Sequence, residues 1–548
     1  MGTPLRFLPA VVAAGLLGVA PVRGAAPRFL PDDPVSVDND RLPMPRPARA
    51  ELSTTFDVIE RTFKHRPDGN IPRAVNVNTL GEVPDSSWFT NRMGARLLAI
   101  EELVRGPLQG EGPDMSRPWT VIRGKSGGIS PGFTMRDARG DVYFIKLDPE
   151  GFPNLSTAAD VIGSRFFHAF GYFVPENHIA YVRRDQLTVA PDARMTERGR
   201  GRRAMTEADL DRLLERVYRR KDGAIRVVAG RALPGEDVGP HEFIGTRPDD
   251  ANDVFPHEDR RDLRGYRVFS AWLNHDDSRS VNTLDTFMPV ADGRGWVKHH
   301  LIDFSSSLGS GSTPAKQIAP QGLRGGNEYL VEIGPALKAA LTLGLWERPW
   351  RRVEYRVHPE IGRIEADHFR PEAWKPEYPN PAFERMLPDD AFWAARIVSR
   401  FTDEMVRALV HTGQYDDDAA ERQLADTLIQ RRDTIVAHYF RQVNPLAEFE
   451  VGAGPEGARL RFRNLGQEAG LGRAEAYEHQ WFAFDNATQA LTPRGPAAVS
   501  AATELTVPPT EGEYRMVRVR TRGSEPAWAK GVDVYLSGVR VVGIEREN

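Results

Sequence analysis

Asn274-His275-Asp276-Asp277-Ser278-Arg279-Ser280-Val281-Asn282 is the stretch on which the reading of this chain turns. An apolar helical pattern over 263–273 runs into it, and a hairpin pattern leaves it: a strand near 283–290, a turn at Asp292-Gly293 and a second strand over 296–302. The second strand ends in Leu301-Ile302-Asp303-Phe304-Ser305, a carboxylate closing an apolar run. A carboxylate, a carboxamide five positions later and a second carboxylate at the return of the hairpin are hard oxygen donors. Such a set suits a divalent ion beside a hydroxyl substrate.

Upstream, residues 119–123 read as a strand, followed by the glycine-rich Gly124-Lys125-Ser126-Gly127-Gly128-Ile129-Ser130-Pro131-Gly132. Strands at 133–136 and 142–147 follow, the second containing Tyr143-Phe144-Ile145-Lys146. Ser156 reads as the cap of an amphipathic helix over 157–170 that carries Asp160 and stops at Gly171, and 177–182 reads as a further strand. Taken alone, a lysine at the end of an apolar strand is most often solvated.

In order and context these segments resemble the protein-kinase-like fold over roughly 118–440. The resemblance implies an α+β, bilobal architecture, with a β-rich N-lobe and a helical C-lobe. It also implies site roles. Gly124, Gly127 and Gly128 would cover the nucleotide phosphates, Lys146 would contact them, and Asp160 would be the ion-pair partner of that lysine. Asp277 would meet the acceptor hydroxyl, while Asn282 and Asp303 would hold Mg2+ or Mn2+, with ATP as phosphate donor. The departures place the chain nearer the atypical branches, HipA-like, CotH-like and phosphatidylinositol-kinase-like. The loop lacks G-x-G-x-x-G spacing, and Trp119 stands where a Walker A motif needs glycine. His275-Asp276-Asp277 replaces His-Arg-Asp, and Ser305 follows Phe304 where glycine is usual.

Two other readings use the same residues. His275, Asp276, Asp277, His299, His300 and Asp303 form a His/Asp-rich set that would suit a Zn2+-dependent hydrolase. Alternatively, a degenerate kinase-like domain binds nucleotide or a partner without turnover.

Outward from this centre, the 548 residues divide into several units. Residues 1–24 have a secretory signal layout, one positive charge and then an apolar run, with cleavage expected near Gly24/Ala25. The mature chain is thus expected to be exported, periplasmic or secreted, without a transmembrane span. Residues 25–115, rich in proline early, are expected to wrap the N-lobe, with a helix over 52–63 and Trp88-Phe89 packing on the next domain. The N-lobe is placed at 116–184 and the C-lobe at 185–445. The C-lobe reading includes a polar insertion at 185–262 with a helix over 207–218, and the adenine-facing backbone is placed at Ala180-Tyr181-Val182. His257 and 250–253 read as solvated loop.

Helical patterns cover 392–410 and 424–439. Short strands at 459–463, 479–484, 504–507, 514–519, 532–536 and 539–542 make 446–548 a β-sandwich. The formal net charge of −4 gives no global basic field for nucleic acid, and the cluster Arg198-Gly199-Arg200-Gly201-Arg202-Arg203 reads as a solvated loop. The absence of cysteine excludes disulfides, cysteine-ligated zinc and a thiol nucleophile. The partners expected are a nucleotide and an acceptor that is a protein, a glycan or a small molecule.

Overall fold

The computed structural model describes residues 26–64, 69–125, 132–197, 201–312, 326–346, 348, 350, 353, 358–454, 457–509 and 512–547. The leader, Gly127, Gly128 and the first half of the arginine cluster lie outside them. The fold is mixed α+β. No helix among the described residues is long and apolar enough to cross a membrane.

The N-terminal segment, expected on the N-lobe, reaches as far as the C-terminal strands. Strand β1 (Met44–Pro45) and helices α1 (Thr54–Phe63) and α2 (Ile100–Arg105) are its regular elements. Phe29 inserts among Phe484, Tyr514 and Tyr535 near the C-terminus, and Phe89 packs on Tyr172 and Trp393. Trp88 stacks on His299 at 3.5 Å.

Strands β2 (Trp119–Lys125), β3 (Gly132–Arg136), β4 (Val142–Leu147), β5 (Asn177–Val182), β6 (Leu187–Glu197), β7 (Gly201–Ala204) and β8 (Ile225–Arg231) form one sheet. Its order is β5-β8-β4-β3-β2-β6-β7. Along β4 the pleat sends Tyr143, Ile145 and Leu147 into a core with Phe133, Met135 and Val227, which leaves Phe144 and Lys146 for the opposite face. Helix α3 (Leu155–Phe170) is buried along almost its whole length. Its first turn is held by Asp148, whose Oδ1 accepts the amides of Ser156 and Thr157 at 2.8 and 2.9 Å. Ser156 therefore sits inside the helix rather than capping it. The helix stops at Gly171, φ 137°, where a Cβ would collide with the Phe89 ring and the Thr90 carbonyl.

The expected boundary at 184 is corrected by this sheet. The supposed insertion at 185–262 supplies β6, β7, helix α4 (Glu207–Leu214) and β8. Strand β6 is hard to read because it pairs parallel to β2 across a register shift, with Val121 opposite Val189 and then Arg123 opposite Arg194. That break destroys simple alternation. Strand β8 lies between β4 and β5, with Val228 opposite Lys146. Ala180-Tyr181-Val182 is consequently on the edge strand, one strand away from the lysine strand. His257, Asp250 and Asp253 are buried rather than solvated.

Strand β9 (Glu236–Asp237), helix α5 (Arg261–Leu273) and the hairpin β10 (Thr283–Ala291) and β11 (Arg294–Leu301) come next. Helices α6 (Ile333–Leu341), α7 (Pro381–Glu384), α8 (Pro388–Ser399), α9 (Asp403–His411) and α10 (Asp418–Phe440) follow. The continuous helix expected over 392–410 is two helices. Thr402 interrupts it, its hydroxyl accepting the Met405 amide at 3.2 Å as a new N-cap. Helices α3, α5, α8, α9 and α10 share one aromatic-rich core with Phe304.

Strands β12 (Leu446–Gly454), β13 (Gly457–Asn464), β14 (Ala474–Phe484), β15 (Leu491–Ser500), β16 (Glu504–Thr506), β17 (Tyr514–Gly523), β18 (Val532–Ser537) and β19 (Arg540–Arg546) complete the chain. They form sheets ordered β12-β13-β16 and β15-β14-β17-β18-β19 around a shared core including Leu460, Phe462, Trp481, Val517 and Val534. Strand β15 contains Pro493 and Pro496 and is exposed nearly throughout. Prolines are tolerated at such an edge.

Buried Arg226 joins the seven-stranded sheet to the helices. It donates to Thr157 Oγ1 at 2.8 Å and to the carbonyls of Gly413 and Gln414 beyond α9. Arg226→Met leaves these acceptors unpaired and is expected to lower the unfolding free energy by about 3 kcal/mol. Urea denaturation measures the loss, and an unchanged midpoint contradicts the role.

Candidate functional site

Lys146 extends from the open face of β4 toward α3. Its Nζ donates to Asp160 Oδ2 at 2.6 Å and to Asp303 Oδ1 at 2.8 Å, across a sequence separation that only the fold can close. Burial disfavours its charge, but the two carboxylates outweigh that penalty and raise its pKa. Asp160 is fixed in turn, because its Oδ1 accepts the Phe304 amide at 2.9 Å and the Asn177 side chain at 3.3 Å. Asp303 itself has left-handed backbone, φ 62°, a conformation that short polar side chains tolerate. The turn sends the chain from β11 back toward α3, and Ser305 Oγ donates to Asp303 Oδ1 at 2.7 Å.

The loop after α5 starts at Asn274, also left-handed, whose Oδ1 accepts the Trp374 indole at 3.0 Å. His275 is fully buried and packs against Phe304 and Phe167, which couples this loop to both α3 and the Asp303 turn. Its Nδ1 lies 3.0 Å from Ser307 Oγ. Asn282 donates Nδ2 to the Asp277 carbonyl at 2.8 Å, so its amide oxygen is the atom left to offer as a ligand. The Ile302 amide meets the Asn282 carbonyl at 3.0 Å, bringing the two ends of the constellation together. Burial pushes Asp277 up to about 7; Arg279 opposes the shift, while Glu377 and Asp303 reinforce it.

Lys146, Asp277, Asp303 and Gly124 line one cavity of about 480 Å³ together with Arg279 and Phe144. Gly124 packs under Met205, and a Cβ there would lie 2.8 Å from the sulfur. Arg279 was not singled out by the sequence pattern. It forms an ion pair with Asp277 and another with Glu377 at 3.0 Å, and it adds a second cation to the cavity. Its place two residues after Asp277 was the available signal, whereas Glu377 arrives from a distant loop and leaves none.

The hydrolase set does not converge. His299 and His241 both bond Asp285 Oδ1, at 2.8 and 2.7 Å, and His300 faces Thr286 at 3.1 Å. Among the described residues, the side chains grouped closely enough to share an ion are His241/Asp285/His299 and His358/Glu360/Asp417. Neither group contains Asp277 or Asp303. A larger hollow of about 980 Å³ lies between α8–α10 and the C-terminal strands. Its arginines are already paired, Arg396 with Glu82, Arg400 and Arg463 with Glu448 and Arg432 with Asp403, and it lies apart from the lysine–carboxylate cluster.

No family model matches the chain, and no curated protein matches it. Among solved structures, the crystal structure of a Helicobacter pylori proinflammatory kinase, CtkA, is similar at 11% identity and a TM-score of 0.31. The match covers 60% of this chain and 98% of that one. A likeness so distant adds nothing to the geometry.

Burial, reinforced by Arg279 and Lys146 against the pull of Asp303, lowers the His275 pKa to about 3. An unfolded histidine binds a proton below about pH 6.5 while the folded one stays neutral, so this residue's contribution is complete above about 6.5 and is lost as pH falls toward about 3. His275→Gln is therefore expected to make the acid limb of the stability curve shallower by about 1.4 kcal/mol per pH unit. Denaturation at pH 7, 6 and 5 checks this; parallel wild-type and variant curves refute it.

Proposed function

We propose that the chain is an atypical kinase-like phosphotransferase that moves the γ-phosphate of ATP to a hydroxyl acceptor. The observation that carries the reading is the meeting of Lys146 with both Asp160 and Asp303 beside Asp277 in one cavity. In this reading the seven-stranded sheet with α3 is a β-rich lobe ending near Arg231. The helices from 232 to 445 are the second lobe, the paired C-terminal sheets are a β-sandwich, and residues 1–24 export the chain.

The donors fit a hard divalent ion. Asp303 supplies a carboxylate at the cavity and Asn282 an amide oxygen oriented by its bond to the Asp277 carbonyl. Mg2+ or Mn2+ bound there would supply charge neutralisation for the phosphate oxygens. Lys146 and Arg279 add fixed positive charge to the cavity that Gly124 also lines. Asp277 orients the acceptor hydroxyl and takes up its hydrogen bond, which requires Arg279 to yield the carboxylate. That ion pair is also the observation favouring the second reading, a nucleotide-binding protein without turnover, because it occupies the group the acceptor needs.

Asp303→Ala is expected to abolish both the Mg2+–ATP-dependent rise in melting temperature and phosphate transfer. Asp277→Asn is expected to keep the rise and to lose transfer by roughly 10²–10⁴-fold. Thermal shift and labelled γ-phosphate transfer on three proteins measure both. Nucleotide binding with no wild-type transfer to any acceptor supports the second reading, and no nucleotide binding at all overturns both.

A further inference from the structure

The two groups of side chains close enough to share an ion differ in charge. His241, Asp285 and His299 are buried and already closed. Asp285 Oδ1 meets both imidazoles, and its Oδ2 lies 3.3 Å from Arg247. That carboxylate has its counter-charge, and an added cation would face a guanidinium. The second group, His358, Glu360 and Asp417, has no lysine or arginine partner among the described residues. Its three ligand atoms lie within 4.8 Å of one another, and two of them are carboxylate oxygens.

The local structure brings these atoms together. Asp417 is the N-cap of α10, and its Oδ1 accepts the Ala419 amide at 2.8 Å. Its Oδ2 is left for His358 Nδ1, 3.2 Å away. Glu360 follows in a tight turn after His358. Its Oε2 is shielded from solvent and has no hydrogen-bond partner among the described residues. A buried carboxylate oxygen is unfavourable there unless a positive group meets it. The basic groups that reach this helix end serve its other carboxylates, Arg220 with Asp416 at 3.1 Å and His411 with Glu421 at 2.9 Å.

We infer that His358, Glu360 and Asp417 form a Zn2+ site that staples the 358–363 segment to α10. A divalent ion cancels the charges of both carboxylates and meets the orphaned Glu360 oxygen. One imidazole with two carboxylates selects a borderline ion: Mg2+ and Ca2+ prefer oxygen throughout, whereas imidazole suits Zn2+. His358 and Asp417 keep 26% and 42% of their side-chain surface exposed, which gives the ion an entry path and water as a fourth ligand. Asp418 and Glu421 in the first turn offset the positive end of α10. The location gives the staple its consequence. Ile361 and Ile364 enter the core with Phe304 and Leu308, and the Arg363 amide meets the Gly309 carbonyl at 3.0 Å. A Cβ on Gly362 would collide with the backbone of Gly309 and Ser310. The stapled segment thus backs the stretch that follows the Asp303 turn. The inference does not depend on phosphate transfer.

Chelator-treated mature protein titrated with Zn2+ alone, by calorimetry and by thermal shift, provides the test. One tight site per chain and a Zn2+-dependent rise in melting temperature are expected. Glu360→Gln and His358→Gln should each weaken that site roughly 10–100-fold or more and lose the rise. Without metal, Glu360→Gln should melt at or above the wild-type temperature, because it removes one of two crowded carboxylates, so a folding defect cannot imitate the result. Asp303→Ala should leave the site intact, which separates it from the proposed nucleotide–metal site. Wild-type protein that takes up no Zn2+ overturns the inference. So does uptake unaffected by either ligand variant or abolished by Asp303→Ala, and so does Ca2+ binding as tight as that of Zn2+.

Discussion

The ammonium of Lys146 is held between two carboxylates that the sequence keeps far apart, and the rest of the central architecture follows from closing that triangle. The two carboxylates keep this part-buried lysine charged. Asp160 reaches it only if α3 packs against the open face of β4, and Asp303 only if β11 ends in a left-handed turn beneath the same face. Asp160 then bonds the Phe304 amide. The helix that positions the lysine's first partner therefore also fixes the turn that presents the second.

The surrounding packing serves the same closure. Phe304 stacks on Phe167 of α3 at 4.9 Å and lies beside His275, so helix, turn and loop share one buried contact. Asn282 meets the Ile302 backbone and the Asp277 carbonyl, which ties the loop to the hairpin it precedes. Arg226 joins sheet to helices at a separate point. Charge remains concentrated in the cavity because Lys146 and Arg279 face Asp277 and Asp303 with little protein between them. Low polarity around the group strengthens these interactions and raises Asp277.

Local elements with uninterrupted periodicity were legible from sequence. The bounds of β4, β5, α5 and the β10–β11 hairpin follow from alternation or helical spacing with clear turn residues. The boundary at 184 failed because β6 bends across a register shift, and β8 is an apolar run whose sheet partners are not local. The helix over 392–410 failed at Thr402, where capping defeats a continuing apolar pattern. At the site, Lys146, Asp160, Asp277, Asn282 and Asp303 were legible by order and residue type. Arg279 was hidden among ordinary surface-like residues, and Glu377 reaches the cavity only through tertiary structure.

The cavity beside Lys146 is the proposed nucleotide site. A crystal structure of the mature protein with Mg2+ and a non-hydrolysable ATP analogue tests this most directly. The expected result is phosphates against Lys146 and the β2–β3 loop, with the metal ion ligated by Asp303 and Asn282. Nucleotide bound elsewhere, or a metal ion that leaves Asp303 and Asn282 without contact to it, would contradict it.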